Sequence, residues 1–287
     1  MQFKSFFKSP GVWLKGNTHA HSTESDGKLT PEELSHEYGK RGYDFLFLTD
    51  HWKRTVAPTL PKGPLMIPAT EINLTIRDSS YHVVCLGIKK EWKRRKFRSL
   101  GELARLAESQ NVMLVMAHPY WCGLPSTNLI KAPEFVGLEV YNTCCDINIG
   151  KGYSAVHWDD VLASGKHVLG LAVDDVHHPK HLGKGWIMVR ARKNTPAAIL
   201  DAIKRGRFYS TQGPQIHDIR IERGSISISC SPVRRINLIC RRSRGASCIS
   251  DKDMTTFKRE LPRDPGYLRV ECIDAKGNIA WSNPFWL

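Results

Sequence analysis

Residues 12–27 read VWLKGNTHAHSTESDG: a short apolar run, then two histidines one residue apart and, five residues on, an aspartate beside a glycine. The first half predicts a buried strand, and the second half places His19, His21 and Asp26 just past its end. Residues two apart on an extended segment project to the same side, so His19 and His21 can face one ion together.

The same design recurs along the chain. FLFLTDH (45–51), PLMIPATEI (64–72), YHVVCLGI (81–88), VMLVMAHP (112–119), FVGLEVYN (135–142), HVLGLAVDD (167–175) and GWIMVRA (185–191) are short apolar runs that close in polar or turn residues, the mark of buried strands. Between them lie amphipathic stretches. TPEELSHEYGKRG (30–42) has Thr30 as N-cap, Pro31 at the first helical position, Glu33 three residues after the cap and Gly42 as its stop, which together are a helix signature. SLGELARLAESQN (99–111), HWDDVLASGK (157–166) and TPAAILDAIKRGR (195–207) repeat the helical spacing. Strands alternating with helices imply parallel pairing buried on both faces, so an α/β barrel is expected over residues 1–213. From 214 to 287 SISISC, INLICR and YLRVECIDAKGNIAW are strands without helices between them. They predict a small all-β, sandwich-like second domain.

In an α/β barrel the strand C-termini share one face. Asp50 and His51, Glu71, His118, and Asp175 with His177 all close strands and should converge there with His19 and His21. A single such residue is more often a surface or hydrogen-bonding group than a ligand. Half of the 12 histidines, however, lie beside carboxylates at strand ends, and one metal centre explains all of them. His36, His157, His167 and His217 have no partner motif and are read as ordinary polar positions. Glu139 and Asn142 end a strand on the same face, as substrate contacts, water ligands or merely a bonded loop. His178 is a candidate acid for the leaving oxygen, provided that a loop there lets it face the site beside His177. Asp50 and Asp174 either orient ligating histidines or cap strand ends.

Composition bounds the rest. A length of 287 residues with 41% hydrophobic and 24% charged content fits roughly two globular domains, and no apolar run reaches the length of a membrane span. The opening MQFKSFFKSPGVW lacks the apolar core of a secretory signal, and the 8 cysteines show no C-x-x-C pair. A cytoplasmic protein with free thiols is expected. No G-x-S-x-G elbow and no P-loop is present. The net charge is +14, and seven of the ten residues in KKEWKRRKFR (89–98) are basic. A small anionic, phosphorylated substrate is therefore the expected partner. Nucleic acid is the other, through this run and RRINLICRRSRG (234–245), with Trp92 and Phe97 as stacking groups.

Taken in order, HAHSTESDG, LTDH, the Glu of ATEI, the His of YHVVCLG, AHP and DDVH resemble the PHP (polymerase and histidinol phosphatase) metallohydrolases over about residues 12–211. GRFYSTQGP and the closing DAKGNIAWSNPF are similar to the carbaryl-hydrolase-like (CehA/McbA) branch of that superfamily. The resemblance implies a distorted (β/α)7 barrel and two or three divalent ions, Mn, Zn or Fe. His19, His21, Glu71 and Asp175 would hold one ion and Asp26, His51 and His177 a second, with Glu71 bridging to a third held by His82 and His118. Asp26 stands where several trinuclear members carry histidine, and carboxylate for imidazole favours manganese or iron over zinc. Such ions bring water to hydroxide near neutral pH. The resemblance thus implies a phosphoesterase, with a carbamate or ester hydrolase or a nuclease as alternatives.

Overall fold

The computed structural model describes residues 5–287. Each apolar run becomes a strand: β1 (Val12–Asn17), β2 (Phe45–Leu48), β3 (Leu65–Ile76), β4 (Ser79–Leu86), β5 (Met113–Met116), β6 (Gly137–Asn142), β7 (Leu169–Val173) and β8 (Trp186–Ala191). The amphipathic stretches become α1 (Pro31–Lys40), α2 (Leu100–Ser109), α5 (Ala155–Ala163) and α6 (Pro196–Lys204), while two short helices, α3 (Ser126–Lys131) and α4 (Thr143–Ile149), fill loops. α1 starts where the sequence indicates. Thr30 Oγ1 accepts the Glu33 N–H at 3.2 Å and Glu33 Oε2 accepts the Thr30 N–H at 2.8 Å, the reciprocal capping box.

The chain is an α/β protein built on one large sheet, and that sheet does not close into the expected (β/α)7 barrel. Its order through this part is β9-β8-β1-β2-β3-β4-β5-β6-β7, with β9 spanning Phe208–Thr211. β7 ends the run and meets the β1 end through the single parallel bridge Ala20–Val176. Only β1–β2, β2–β3, β5–β6 and β6–β7 pair in parallel, whereas β3–β4, β4–β5, β1–β8 and β8–β9 are antiparallel. The reason is local. β3 and β4 form a hairpin through Arg77, which takes a left-handed φ of 54°, and no helix crosses between them, so the parallel rule for βαβ units does not apply. Two apolar layers flank the sheet. One packs Leu103, Leu138, Val140 and Trp158 against its outer side, and the other stacks Phe45, Phe47, Val84, Leu171 and Ile187 inside.

After Gly213 come β10 (Ile216–Glu222), β11 (Ser225–Cys240), β12 (Ala246–Glu260), β13 (Tyr267–Ile273), β14 (Ile279–Ser282) and β15 (Phe285–Trp286). SISISC and INLICR are one strand, β11. β12 is too polar to read as a strand from sequence, since one of its faces is open to solvent. β14 pairs with β9, so these strands continue the large sheet while burying their own cluster around Ile219, Ile236, Val270 and Cys272. Buried Arg269 on β13 ties the two parts together, with Nη2 2.6 Å from Asp159 Oδ2 on α5 and Nη1 2.6 Å from Glu271 Oε1. No helix among the described residues is long and apolar enough to cross a membrane.

Candidate metal centre

His19 and His21 lie just beyond β1, where Ala20 between them is fully buried among Leu34, Tyr38 and Val176. The alternation expected of an extended segment therefore holds, with the alanine on the core side and both imidazoles on the other. Neither ring touches solvent appreciably, at 0% and 1% exposure. His19 Nε2 lies 3.0 Å from His21 Nε2, 3.1 Å from Glu71 Oε2 and 3.2 Å from Asp175 Oδ1. His21 Nε2 lies 3.0 and 3.3 Å from the same two oxygens. The ligand atoms of His19, His21 and Asp175 all lie within 4.8 Å of one another, the spacing of donors that can share one metal ion, and Glu71 Oε2 adjoins both imidazoles. Asp175 Oδ1 is buried and has no hydrogen-bond donor, which is costly unless a cation serves it. These four side chains fit a divalent ion.

Two further groups adjoin the first. Asp26 Oδ1 lies 3.4 Å from His21 Nδ1, and its Oδ2 lies 3.4 Å from His177 Nε2 and 3.6 Å from His51 Nε2. On the other side Glu71 Oε1 lies 2.8 Å from His82 Nδ1 and 3.4 Å from His118 Nε2. All nine candidate ligands thus meet, in groups whose ligand atoms lie within 4.8 Å of one another.

The imidazoles and carboxylates of the cluster favour each other's charged forms. Burial works against the charged form of His19, yet Asp175, Glu139 and Glu71 around it hold its pKa well above the usual value. Burial also opposes the charge on His177, but its bonds to Asp26 and Cys144 raise it to about 11. Against their own burial, Glu71 and Asp175 are held well below the usual carboxylate range by the imidazoles around them.

The backbone is left-handed at two ligands. Asp175 (φ 51°) and His118 (φ 28°) are both in the left-handed region, so Asp175 and His177 converge through a turn rather than by strand alternation. Such conformations cost on the order of 1–3 kcal/mol each and collect at functional sites.

Glu139 and Asn142 sit behind the ligands rather than in the cavity. Glu139 Oε1 lies 2.6 Å from His19 Nδ1, and its Oε2 accepts the His118 N–H at 2.9 Å and Asn142 Nδ2 at 2.8 Å. Asn142 Nδ2 also reaches Asp175 Oδ2 at 3.1 Å while its Oδ1 caps α4. Both are placed to orient ligands, which corrects the substrate-contact reading. The acid role expected of His178 is corrected too. The loop is there, but it turns His178 outward, where the ring is exposed and accepts the Lys180 N–H at 3.3 Å. Asp50 and Asp174 touch none of the ligating side chains. Asp50 gathers Ser22, Ser25 and Thr55, and Asp174 accepts the N–H groups of Gly183, Lys184 and Gly185. They are loop caps.

The cavity over the ligands has a volume of about 360 Å³, and Trp121, Cys144, Cys145 and Asn148 complete its wall. No sequence signal marks these four, because they lie on the α3 approach and on α4, neither of which has a periodic pattern. The edge of Trp121 meets His82 and His118 at centroid distances of 5.5 and 5.0 Å. In the basic run, Trp92 and Phe97 are 6% and 3% exposed and packed in the core, so they are not free to stack on bases. The lysines and arginines of residues 89–98 are exposed and form no ion pair among the described residues.

No protein-family profile and no curated protein sequence matches the chain. Among solved structures, an amidohydrolase from Chromobacterium violaceum with bound sulfate and no metal aligns at 16% identity over 57% of this chain and 88% of its own, with a TM-score of 0.45. A two-domain protein from Bacteroides vulgatus, described as containing a predicted PHP-like metal-dependent phosphoesterase, aligns at 15% identity over 96% of this chain and 95% of its own, with a TM-score of 0.53. With that two-domain protein the chain shares its fold.

Proposed function

We propose that this chain is a metal-dependent hydrolase of the PHP type and that it cleaves phosphoesters. One observation carries the reading: His19, His21 and Asp175 gather three ligand atoms within 4.8 Å of one another, with Glu71 Oε2 beside both imidazoles and a donorless buried oxygen on Asp175. The fold shared with a protein described as a predicted PHP-like metal-dependent phosphoesterase points the same way.

In this reading His19, His21, Glu71 and Asp175 hold one ion, Asp26, His51 and His177 a second, and Glu71 with His82 and His118 a third. Bound divalent ions would lower the pKa of water and offset charge on the phosphoryl oxygens. The chain's own contribution is geometric and electrostatic. Glu139 fixes the tautomer of His19 by accepting a hydrogen bond from its Nδ1–H. Asn142 holds Glu139 and Asp175 at a constant separation. Trp121 walls the cavity and keeps His82 and His118 from rotating. Asp26, half exposed at the rim, leaves the second group open to exchange of ion and substrate. The residues 214–287 supply no ligand in this reading and extend the sheet beyond β9.

Metal analysis of protein purified without added metal, followed by a panel of phosphomonoesters, phosphodiesters and aryl esters, tests the proposal. Stoichiometric Mn, Fe or Zn with turnover of a phosphoester supports it. Metal-free protein that neither binds these ions nor gains activity from them overturns it. A second reading, hydrolysis of a carbamate or carboxylic ester as in the carbaryl-hydrolase-like branch, draws on a different observation: no lysine or arginine lines the cavity, which suits an uncharged substrate. The same panel separates the two.

A further inference from the structure

We propose that Cys144 is a further ligand of this centre, closing with Asp175 and His177 a soft subsite that selects zinc over manganese. The inference rests on the metal-centre reading above and goes beyond it in adding a thiolate to an all-nitrogen and oxygen set.

Cys144 is 9% exposed and lines the cavity. Its Sγ lies 3.7 Å from His177 Nδ1, and Asp175 Oδ1 lies 3.5 Å from the same nitrogen. The three ligand atoms all fall within 4.8 Å of one another. Zinc bonds of about 2.3 Å to sulfur and 2.0–2.1 Å to nitrogen or oxygen place tetrahedral ligands about 3.3–3.6 Å apart, close to the separations found. The carboxylate oxygen aimed at this group belongs to Asp175, 3% exposed, and it has no hydrogen-bond donor. On its far side the sulfur accepts Asn148 Nδ2 at 3.3 Å, which steadies it as an anion.

His177 stands between two unlike partners. Its Nε2 faces the hard carboxylate of Asp26 at 3.4 Å, and its Nδ1 faces the thiol. An ion on the Asp26 side takes Nε2 and leaves Nδ1–H donating to the Asp175 carbonyl oxygen, 3.0 Å away. An ion on the Cys144 side takes Nδ1. The imidazole then carries its proton on Nε2, toward Asp26, and the thiol proton leaves to solvent, since only the thiolate ligates. Soft thiolate draws zinc, while carboxylate and imidazole without it suit manganese or iron. Cys145 lines the same cavity but contacts no histidine, and burial pushes its thiol well up from the usual value.

Cobalt(II) loaded into the full chain in place of the native ion provides the test. The expected result is a thiolate-to-cobalt charge-transfer band in the near ultraviolet that disappears in Cys144→Ser and persists in Cys145→Ser and Cys122→Ser. Bound cobalt should also protect Cys144 of the unmodified chain from alkylation, read by peptide mass spectrometry, which needs no variant to fold. Competition of zinc against manganese should shift toward manganese by about tenfold or more in Cys144→Ser. Bound cobalt without the band, a band surviving in Cys144→Ser, or unprotected Cys144 overturns the thiolate ligand and leaves the metal centre standing. Failure of cobalt to bind at all overturns the metal-centre reading and this inference with it.

Discussion

Glu71 divides its carboxylate between two neighbourhoods: Oε1 lies 2.8 Å from His82 Nδ1 on the adjacent strand, while Oε2 lies 3.1 Å from His19 Nε2. It is 1% exposed and also 3.0 Å from His21 Nε2 and 3.4 Å from His118 Nε2. One β3 side chain therefore joins ligand groups drawn from the ends of β1 and β5 and the middle of β4.

This bridging position makes Glu71→Gln more damaging than loss of a peripheral ligand. An amide offers one acceptor and forces an N–H group toward an imidazole nitrogen, so metal affinity should fall by at least about 100-fold at the groups on both sides. His82→Ala should empty only the group it shares with His118. Metal content by elemental analysis, with circular dichroism to confirm folding, checks both. Equal metal content in Glu71→Gln and the unmodified protein would contradict a bridging role.

His181, 1% exposed on the loop after β7, gives a pH prediction. Its Nδ1 accepts the N–H groups of His177 and His178, each at 3.3 Å, so the neutral ring is built into the turn that presents His177. Burial, with Lys180 and His177 nearby, lowers its pKa from 6.5 to about 4. Between those values the unfolded chain binds a proton that the folded chain refuses, so stability falls as the pH falls through this window. At most about 3 kcal/mol is involved. Urea unfolding of metal-free protein at pH 7 and pH 4.5 should show a smaller loss for His181→Gln than for the unmodified chain. Identical losses would count against the neutral buried ring.

The cations at 93–96 lie along a loop pinned by Trp92 and Phe97 in the core. Arg94, Arg95 and Lys96 line a groove with Trp52 and Asn73. Asn73 is one same-face step beyond Glu71 on β3, about 7 Å along the strand. Changing Lys93, Arg94, Arg95 and Lys96 to glutamine should raise KM for a phosphorylated substrate on the order of tenfold at low salt and flatten its salt dependence, with kcat nearly unchanged. An unmoved KM would mean the run is only a solvated loop.

Most of the ligands were legible because they follow apolar strands whose ends converge whether or not the sheet closes, although Glu71 and His82 lie inside β3 and β4, which run on past the apolar stretches that suggested their ends. The open sheet was not legible, because β4 and β8 carry the same continuous apolar pattern as parallel strands. Burial on both faces sets that pattern, not strand direction. Glu139 shows the limit for side chains. Its place at a strand end put it at the site, but whether a carboxylate faces a substrate or a histidine depends on a neighbouring strand. Cys144 and Trp121 were silent for a further reason: one sits on the short α4 and the other on a turn, both too short for a spacing to mark one residue from the next.

Arg269 provides the test of how the β strands after Gly213 are attached. Its guanidinium, 1% exposed, lies over the Trp158 ring at 4.8 Å and binds Asp159 on α5 and Glu271 beside it on β13. Asn237 Nδ2 completes Glu271 at 2.9 Å. Replacing Arg269 by leucine removes the shared cation and leaves the buried Glu271 and the partly exposed Asp159 without it, a change worth up to about 3–5 kcal/mol. Trp281 on β14 packs on Tyr141 with centroids 6.1 Å apart, and Tyr141 is on β6, the strand that carries Glu139 and Asn142. A chain cut near Gly213 loses both attachments along with the β14–β9 ladder, and it should aggregate or lose its near-ultraviolet signal rather than persist as a metal-loaded fragment. Urea unfolding checks Arg269→Leu. Stability within about 1 kcal/mol of the unmodified protein, or a soluble, ordered 1–213 fragment, would show that the two parts hold together without this network.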